Sequence, residues 1–161
     1  MATDYFLKIE GIDGESMDSK HKGSIQLDSW SWGAANTASF GHGGGGGTGK
    51  VSMQDFNFVM PTSKASPGLI LACSQGKHIA SATLSARKAG TEQNEYLTFK
   101  FTDVFVSSYN IGGAGMGGDT PTDQVSLAFA KVEWMYQQQD QKGSVGSPVK
   151  GGWDLQKNVK V

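Results

Sequence analysis

The sequence predicts a mainly β chain, an antiparallel barrel or sandwich with one short flanking helix over about residues 64–75 and an extended glycine-rich loop. Three observations carry this expectation. Apolar side chains recur at every second position in seven or so stretches, the pattern of half-buried strands whose side chains alternate between two faces. Turn residues separate those stretches. Only one stretch, from Ser66 through Pro67 and Gly68 to Gly76, reads as a helix.

Taken in order, Tyr5, Leu7 and Ile9 alternate with Phe6, Lys8 and Glu10 and give a first strand, turned by Gly11 to Gly14. The polar run from Glu15 to Lys22 is a loop. Ile25 and Leu27 open the next strand at odd positions, whereas Trp30 and Trp32 continue it at even ones. That change of parity at Asp28 and Ser29 predicts a bulge or bend of the kind found where a sheet curls. Seven glycines then fall among residues 41 to 49, a loop costly in entropy to order. Val51 and Met53 are odd while Phe56, Phe58 and Met60 are even, a second change of face before Pro61. The helix follows. Ser63 or Ser66 can cap it, Pro67 suits its first turn, Gly76 suits a left-handed stop, and Leu69, Ile70, Ala72 and Cys73 form its apolar face. Ala82, Leu84 and Ala86 alternate, as do Leu97, Phe99 and Phe101, with Val104 to Val106 extending that strand past Asp103. A second glycine-rich loop runs from Gly112 to Gly118. Val125, Leu127 and Phe129 give way to Val132, Trp134 and Tyr136, again with a parity change. After a polar loop from Gln137 to Lys150, Trp153, Leu155, Val159 and Val161 alternate once more.

Length and charge bound the function classes. A chain of 161 residues suits one domain, 1–161, without an internal repeat. Net charge is -1, only 18% of residues are charged, and Arg87 is the sole arginine. Arginine is the preferred fork for phosphates and base edges, so nucleic acid is not an expected partner. No run approaches the ~20 apolar residues of a membrane span, so membrane insertion is not expected. The N-terminus has no basic region followed by an apolar run, so any export would bypass the ordinary signal route after cytoplasmic synthesis. Cys73 is the single cysteine, and an intramolecular disulfide is therefore impossible.

The motifs that resemble catalytic or cofactor sites fail on context. Gly44 to Lys50 fits G-x-x-x-x-G-K, yet Val51 stands where a Ser or Thr would hold magnesium, and a strand follows where a phosphate loop opens a helix. Gly113 to Gly118 matches G-x-G-x-x-G but leads through Pro121 into another strand. His21, His42 and His78 lie far apart, with none at ligand spacing from another. Cys73 sits on an apolar helix face, and Ser74 comes near a helix end rather than its start. No cofactor, metal ligand or catalytic residue is assigned, and the chain is not expected to be an enzyme. A hydrolase using Cys73 or Ser74, and a secreted β-barrel module binding carbohydrate or lipid, remain as alternatives.

What remains is surface. The strand faces opposite the apolar ones carry Ser29 and Ser31, then Thr83, Ser85 and Arg87, then Tyr96, Thr98 and Lys100. A solvated outer sheet is the ordinary account of such faces. The parity changes complicate that account, because they bring apolar groups to both faces, and such a sheet needs cover on both.

Many of these stretches together resemble the haemolysin-coregulated protein (Hcp) family. They include Asp4 to Ile9, Gly14-Glu15-Ser16, Trp30-Ser31-Trp32-Gly33, Gly43 to Gly47 with Gly49-Lys50-Val51, Gln54-Asp55-Phe56, Ala72-Cys73-Ser74 and Gly76-Lys77-His78. Further on come Arg87 to Gly90, Glu95-Tyr96-Leu97, Val106 to Ser108, and Gly151 to Asp154 with Asn158-Val159. The resemblance runs the full length of the chain. It implies a closed antiparallel β-barrel with a flanking helix, assembled as homo-hexameric rings that stack into the inner tube of a type VI secretion system. It also implies contact with spike and sheath proteins, small effector proteins in the lumen, and secretion through the apparatus without a signal peptide. Under that resemblance the loop Gly41, His42, Gly43, Gly44, Gly45, Gly46, Gly47, Thr48 and Gly49 becomes a ring-stacking arm. Ser31, pointing away from its flanking tryptophans, becomes the residue expected to face the lumen and its cargo.

Overall fold

The computed structural model describes residues 3–39, 47–88, 94–139 and 146–161. In chain order the strands are β1 (Thr3–Ile9), β2 (Ile25–Gln26), β3 (Ser29–Ser31), β4 (Ala34–Ser39), β5 (Gly47–Met53) and β6 (Phe56–Pro61). Helix α1 (Ala65–Gln75) precedes β7 (Ile79–Lys88), β8 (Glu95–Gly112), β9 (Thr122–Tyr136), β10 (Val149–Asp154) and β11 (Val159–Lys160). Among the described residues the fold is mainly β with one helix, as the alternation predicts, and every pairing is antiparallel.

β9 is the spine of the main sheet. β8 runs along one edge from Leu97↔Tyr136 to Gly112↔Thr122. On the other edge β6 takes the first half, from Phe56↔Leu127 to Pro61↔Thr122, and β10 takes the second, from Val149↔Tyr136 to Asp154↔Lys131. From β8 the order continues through β7 and β1 to β2, and β3 joins β6. The bend expected at Asp28 and Ser29 is where one extended segment changes partner. The Leu27 N–H donates to the Tyr5 carbonyl at 2.9 Å, towards β1, and the next N–H, of Asp28, donates to the Val59 carbonyl at 2.9 Å, towards β6.

The inward side chains form one apolar core. Phe56, Phe58 and Met60 of β6 meet Leu7, Ile9, Leu84, Phe101, Val125 and Leu127, all buried, with Leu69 of α1 closing over them. Its centre is aromatic. Phe56 lies 4.9 Å from Phe101 and Phe101 4.7 Å from Phe129, and Trp32 contacts Phe99, Phe101, Phe129 and Trp134 at ring separations of 5.6 to 6.4 Å. Each such pair contributes about 0.5–1.5 kcal/mol beyond the area it buries. Two long strands change face within this core. Phe101 and Val104 are both buried although three positions apart, because Asp103 between them adopts a left-handed φ of 54°. Their partners Val132 and Phe129 on β9 make the matching change.

Helix α1 packs against β8, and Gly76 ends it at φ 60°, a left-handed conformation that suits glycine. Its expected face needs correction. Ala65, Ser66, Leu69 and Ala72 are buried and Cys73 is half-buried, whereas Ile70 is 43% exposed. A stripe through 65, 69, 72 and 73 covers one side of a helix, and Ile70 lies about 100° round from Leu69. Neither serine caps in the simple way. Lys64 holds the N-cap position without a side-chain bond, Ser63 Oγ accepts from the Ala65 N–H, and Ser66 turns inward. Ser66 Oγ donates to Asp123 Oδ2 at 2.5 Å, alongside Tyr109 at 2.8 Å, and Thr62 donates to Oδ1 at 2.7 Å. The fully buried Asp123 carboxylate thus joins the first turn of α1 to β6, β8 and β9. Burial, together with the bond to Asp123, raises the Tyr109 phenol above its ordinary value.

Three further expectations also change. Gly47, Thr48 and Gly49 belong to β5, not to a loop. They pair with β4, which the composition of Ala34 to Ser39 did not suggest, and Gly41 to Gly46 lie outside the described residues. Leu155 is not part of a closing strand, because the chain turns between β10 and β11 with Asn158 at φ 56°. The face of β7 bearing Ser85 and Arg87 is not solvated. The segment 13–24 folds over it, so that Arg87 is 4% and Phe6 3% exposed. Arg87 grips Asp18 with both terminal nitrogens, and its guanidinium carbon lies 4.8 Å over the Phe6 ring. The His21 ring stacks on Phe6 at 4.6 Å and places Nε2 2.6 Å from Glu95 Oε1. The guanidinium bond holds the Asp18 carboxyl below, and Arg87 above, their ordinary values.

Two expectations about stability follow. Phe101→Ala should cost about 3–5 kcal/mol, read as a lower urea midpoint with unchanged slope, since it empties the centre of the aromatic cluster. A carboxyl whose folded pKa is depressed stabilises at neutral pH, and that contribution fades as pH falls through the depressed value. Asp18→Asn should therefore lower the midpoint at neutral pH, with the gap to the parent protein closing towards strongly acid pH. A gap that stayed constant down to the acid limit would show that the carboxylate charge is not what holds segment 13–24.

Candidate functional site

Ser31 is exposed while Trp30 and Trp32 on either side of it turn into the core. This is what period-two alternation predicts for β3. The register then decides what stands beside it. Ser31 pairs with Asn57 of β6, Asn57 with Ser126 of β9, and Ser126 with Ser108 of β8. One step along, Ser29 pairs with Val59, Val59 with Gln124, and Gln124 with Asn110. Two rows of four residues cross four strands on one face. They line a shallow depression with no charged side chain in its wall and with Trp30, Phe58 and Val125 contributing from beneath.

The far side of that depression exists because of an irregularity in β8. The register shifts between Val106 and Ser108, so Val106 and Tyr109 both turn inward while Ser108 and Asn110 face the depression. An unbroken period of two would have placed Ser108 on the face of Val106. Below the rows, inward-facing Tyr109 and Asp123 are bonded to each other and are chain neighbours of Asn110 and Gln124, which steadies the two strands there. Within the rows, Ser126 Oγ donates to Asn57 Oδ1, and Asn57 Nδ2 donates to the Asp55 carbonyl at 3.1 Å. At the rim, Ser107 Oγ donates to Asp55 Oδ2 at 2.6 Å. Chemically, the surface offers hydroxyl and amide hydrogen bonds without formal charge.

Of the expected site residues, Ser31 lies in this depression. In the expected arm only Gly47, Thr48 and Gly49 are described, and they lie on β5, which pairs with β4 in a two-stranded sheet separate from the main one. Gly41, His42, Gly43, Gly44, Gly45 and Gly46 lie outside the described residues. Sequence reasoning missed Asn57, Ser108, Asn110, Gln124 and Ser126 as neighbours of Ser31. Alternation along Phe56-Asn57-Phe58 and Gln124-Val125-Ser126-Leu127 marks three of them as outward, but nothing local says that these strands adjoin β3. Among the described residues, no cluster of three or more His, Cys, Asp or Glu could hold a metal ion. Ser74 spends its hydroxyl on the Ile70 carbonyl at 2.8 Å. No helix among the described residues is long and apolar enough to cross a membrane.

Comparison with known proteins agrees over the whole chain. The family model for the type VI secretion system effector Hcp matches residues 6–136. Protein hcp1 of Pseudomonas aeruginosa is 46% identical over 163 aligned residues, covering 100% of both chains. A solved structure of a type six secretion system protein superposes with a TM-score of 0.95 at 34% identity, covering 99% of this chain and 100% of that one. Hcp1 from Salmonella typhimurium gives 0.80 at 35% identity with 100% of both chains covered. A type VI secretion system effector from Yersinia pestis gives 0.74 at 34% identity, covering 94% of this chain and 99% of that one.

Proposed function

The chain belongs to the Hcp family and is a tube protein of a type VI secretion system, and on that premise we propose how its own residues build the tube. The domain closes into a barrel. Support comes from the run of pairings β2, β1, β7, β8, β9, β6 and β3, whose two ends, β2 and β3, are successive stretches of one segment, with Leu27 and Asp28 bonding to opposite neighbours at the join. Six copies form a ring, and rings stack into a hollow tube that meets spike and sheath proteins. The chain is made in the cytoplasm and leaves through the apparatus it helps to form. Its part is structural rather than catalytic.

The observation that carries the assembly reading is the β4–β5 arm. A two-stranded ribbon with no backbone pairing to the main sheet is marginal in water by itself, so its natural support is another copy in the adjoining ring. Exposed apolar groups agree with an assembled state. Leu71 on α1 is 56% and Phe105 on β8 47% exposed, and contacts between copies that close by rotation would cover them. Ser31 and its neutral surroundings then face the lumen, where small effector proteins travel.

Three measurements check this. Native mass or negative-stain images at micromolar protein should show rings, and monomers alone would overturn the reading. Ser31→Gln should reduce retention of a co-expressed effector while rings persist, because a longer side chain fills the depression without touching the core. Deleting Gly43 to Gly47 should leave a cooperative unfolding transition and shorten or abolish stacks; loss of that transition would show that the segment holds the domain itself together.

A further inference from the structure

The chemistry of the depression beside Ser31 restricts what it can hold. Its wall carries Ser31, Asn57, Ser108, Asn110, Gln124 and Ser126, every one an uncharged hydrogen-bonding group, and no Lys, Arg, Asp or Glu lines it. One pair is already joined, Ser126 to Asn57. The side chains of Ser31, Asn110 and Gln124 make no hydrogen bond within the described residues, so their donors and acceptors are open to a visitor. The aromatic rings nearby are committed elsewhere. Trp30 stacks on Phe56 at 6.0 Å and meets Tyr5 edge-on at 5.8 Å, so its ring is tied into the core cluster beneath the depression.

A charged segment entering such a surface would lose part of its hydration and find no opposite charge in the wall, the Asp55 carboxylate at the rim being held by the Ser107 hydroxyl. A neutral polar segment would instead exchange hydrogen bonds with water for equivalent bonds to hydroxyls and amides. We infer that the depression selects uncharged polar stretches of a cargo protein, rich in Ser, Thr, Asn, Gln and Gly, and holds them by neutral hydrogen bonds whose strength does not depend on salt. This rests on the lumen reading for its biological setting, although the chemistry of the surface stands without it. Such contacts are individually weak and reversible, and repetition of the site on every copy of a ring would multiply them. That combination suits a carrier that must also let go.

The test uses the full chain, isotope-labelled, and three synthetic peptides of equal length as probes. One is built of Gly, Ser and Asn, one has Lys at every third position, and one has Glu there. Binding is followed by the side-chain amide signals of Asn57, Asn110 and Gln124 at about 50 and about 500 mM salt, which span the range from weak to strong screening. The neutral peptide should move these signals, with affinity changing less than about twofold between the two salts, and both charged peptides should bind at least about threefold more weakly. Gln124→Lys should raise affinity for the Glu peptide and make it fall with salt. A charged peptide binding the parent protein as well as the neutral one, or a neutral peptide that leaves all three amides unmoved, overturns the inference. The two readings fail separately. Neutral-peptide binding with effector retention unaffected by Ser31→Gln supports this inference and removes the lumen reading. Retention lost in Ser31→Gln with no neutral-peptide response removes this inference and keeps the lumen.

Discussion

The arrangement depends first on one segment, Ile25 to Trp32, that bonds to two different strands. Had Leu27 and Asp28 both bonded towards Tyr5, β3 would have continued along β1 and β6 would have kept only β9 as a neighbour. Instead adjacent N–H groups donate in opposite directions, to Tyr5 and to Val59. The same bend sets the side chains. Trp30 and Trp32 turn into the aromatic cluster around Phe101, and Ser31 between them is left on the outer face. The rigid core and the candidate site are two sides of one short strand.

Face changes do similar work in the long strands. A strand with a strict period of two can serve only one interior. β8 escapes this twice, once at Asp103 with its left-handed backbone and once at the register shift after Val106. The first keeps Phe101 and Val104 both inside; the second turns Tyr109 in to meet Asp123 and turns Ser108 and Asn110 out. Close approach is managed just as locally elsewhere. A side chain on Gly151 would place its Cβ 2.4 Å from the Trp134 indole nitrogen, so that indole can lie across β10 only where the residue is glycine.

The buried polar groups show why part of this structure was not legible from sequence. Arg87 stands in an alternating strand opposite apolar positions and reads locally as a solvated surface residue. Asp18, which pairs with it, is 69 positions away, and Phe6 beneath it belongs to a third segment. Only when segment 13–24 lies over β1 and β7 does the arginine become buried and matched. Asp123 is similar. Its three hydroxyl partners come from β8, from Thr62 just after β6 and from the first turn of α1. Ser66 therefore contributes more to docking the helix than to capping it, a distinction that no local cap signal contains. The hairpin strand Ala34 to Ser39 escaped for another reason. Ala, Asn and Ser have little intrinsic preference for strands, and pairing with β5 supplies what composition does not.

Alternation, turn residues and the left-handed stop at Gly76 are short-range properties, and for that reason the β class, the place of α1, the outward direction of Ser31 and the bend at Asp28 and Ser29 could be read from sequence, whereas the shift after Val106 in β8 could not. The full-length likeness to the Hcp family was legible for the same reason, since it is carried by short runs in a fixed order. The tertiary structure alone decided which outward residues share a surface. Ser31, Asn57, Ser126 and Ser108 lie in one row because β3, β6, β9 and β8 are neighbours in a given register. That register is set by the packing of Phe56, Phe101, Leu127 and Trp30 on the opposite face. Side-chain direction is a property of one strand, whereas a site spanning four strands is a property of their packing.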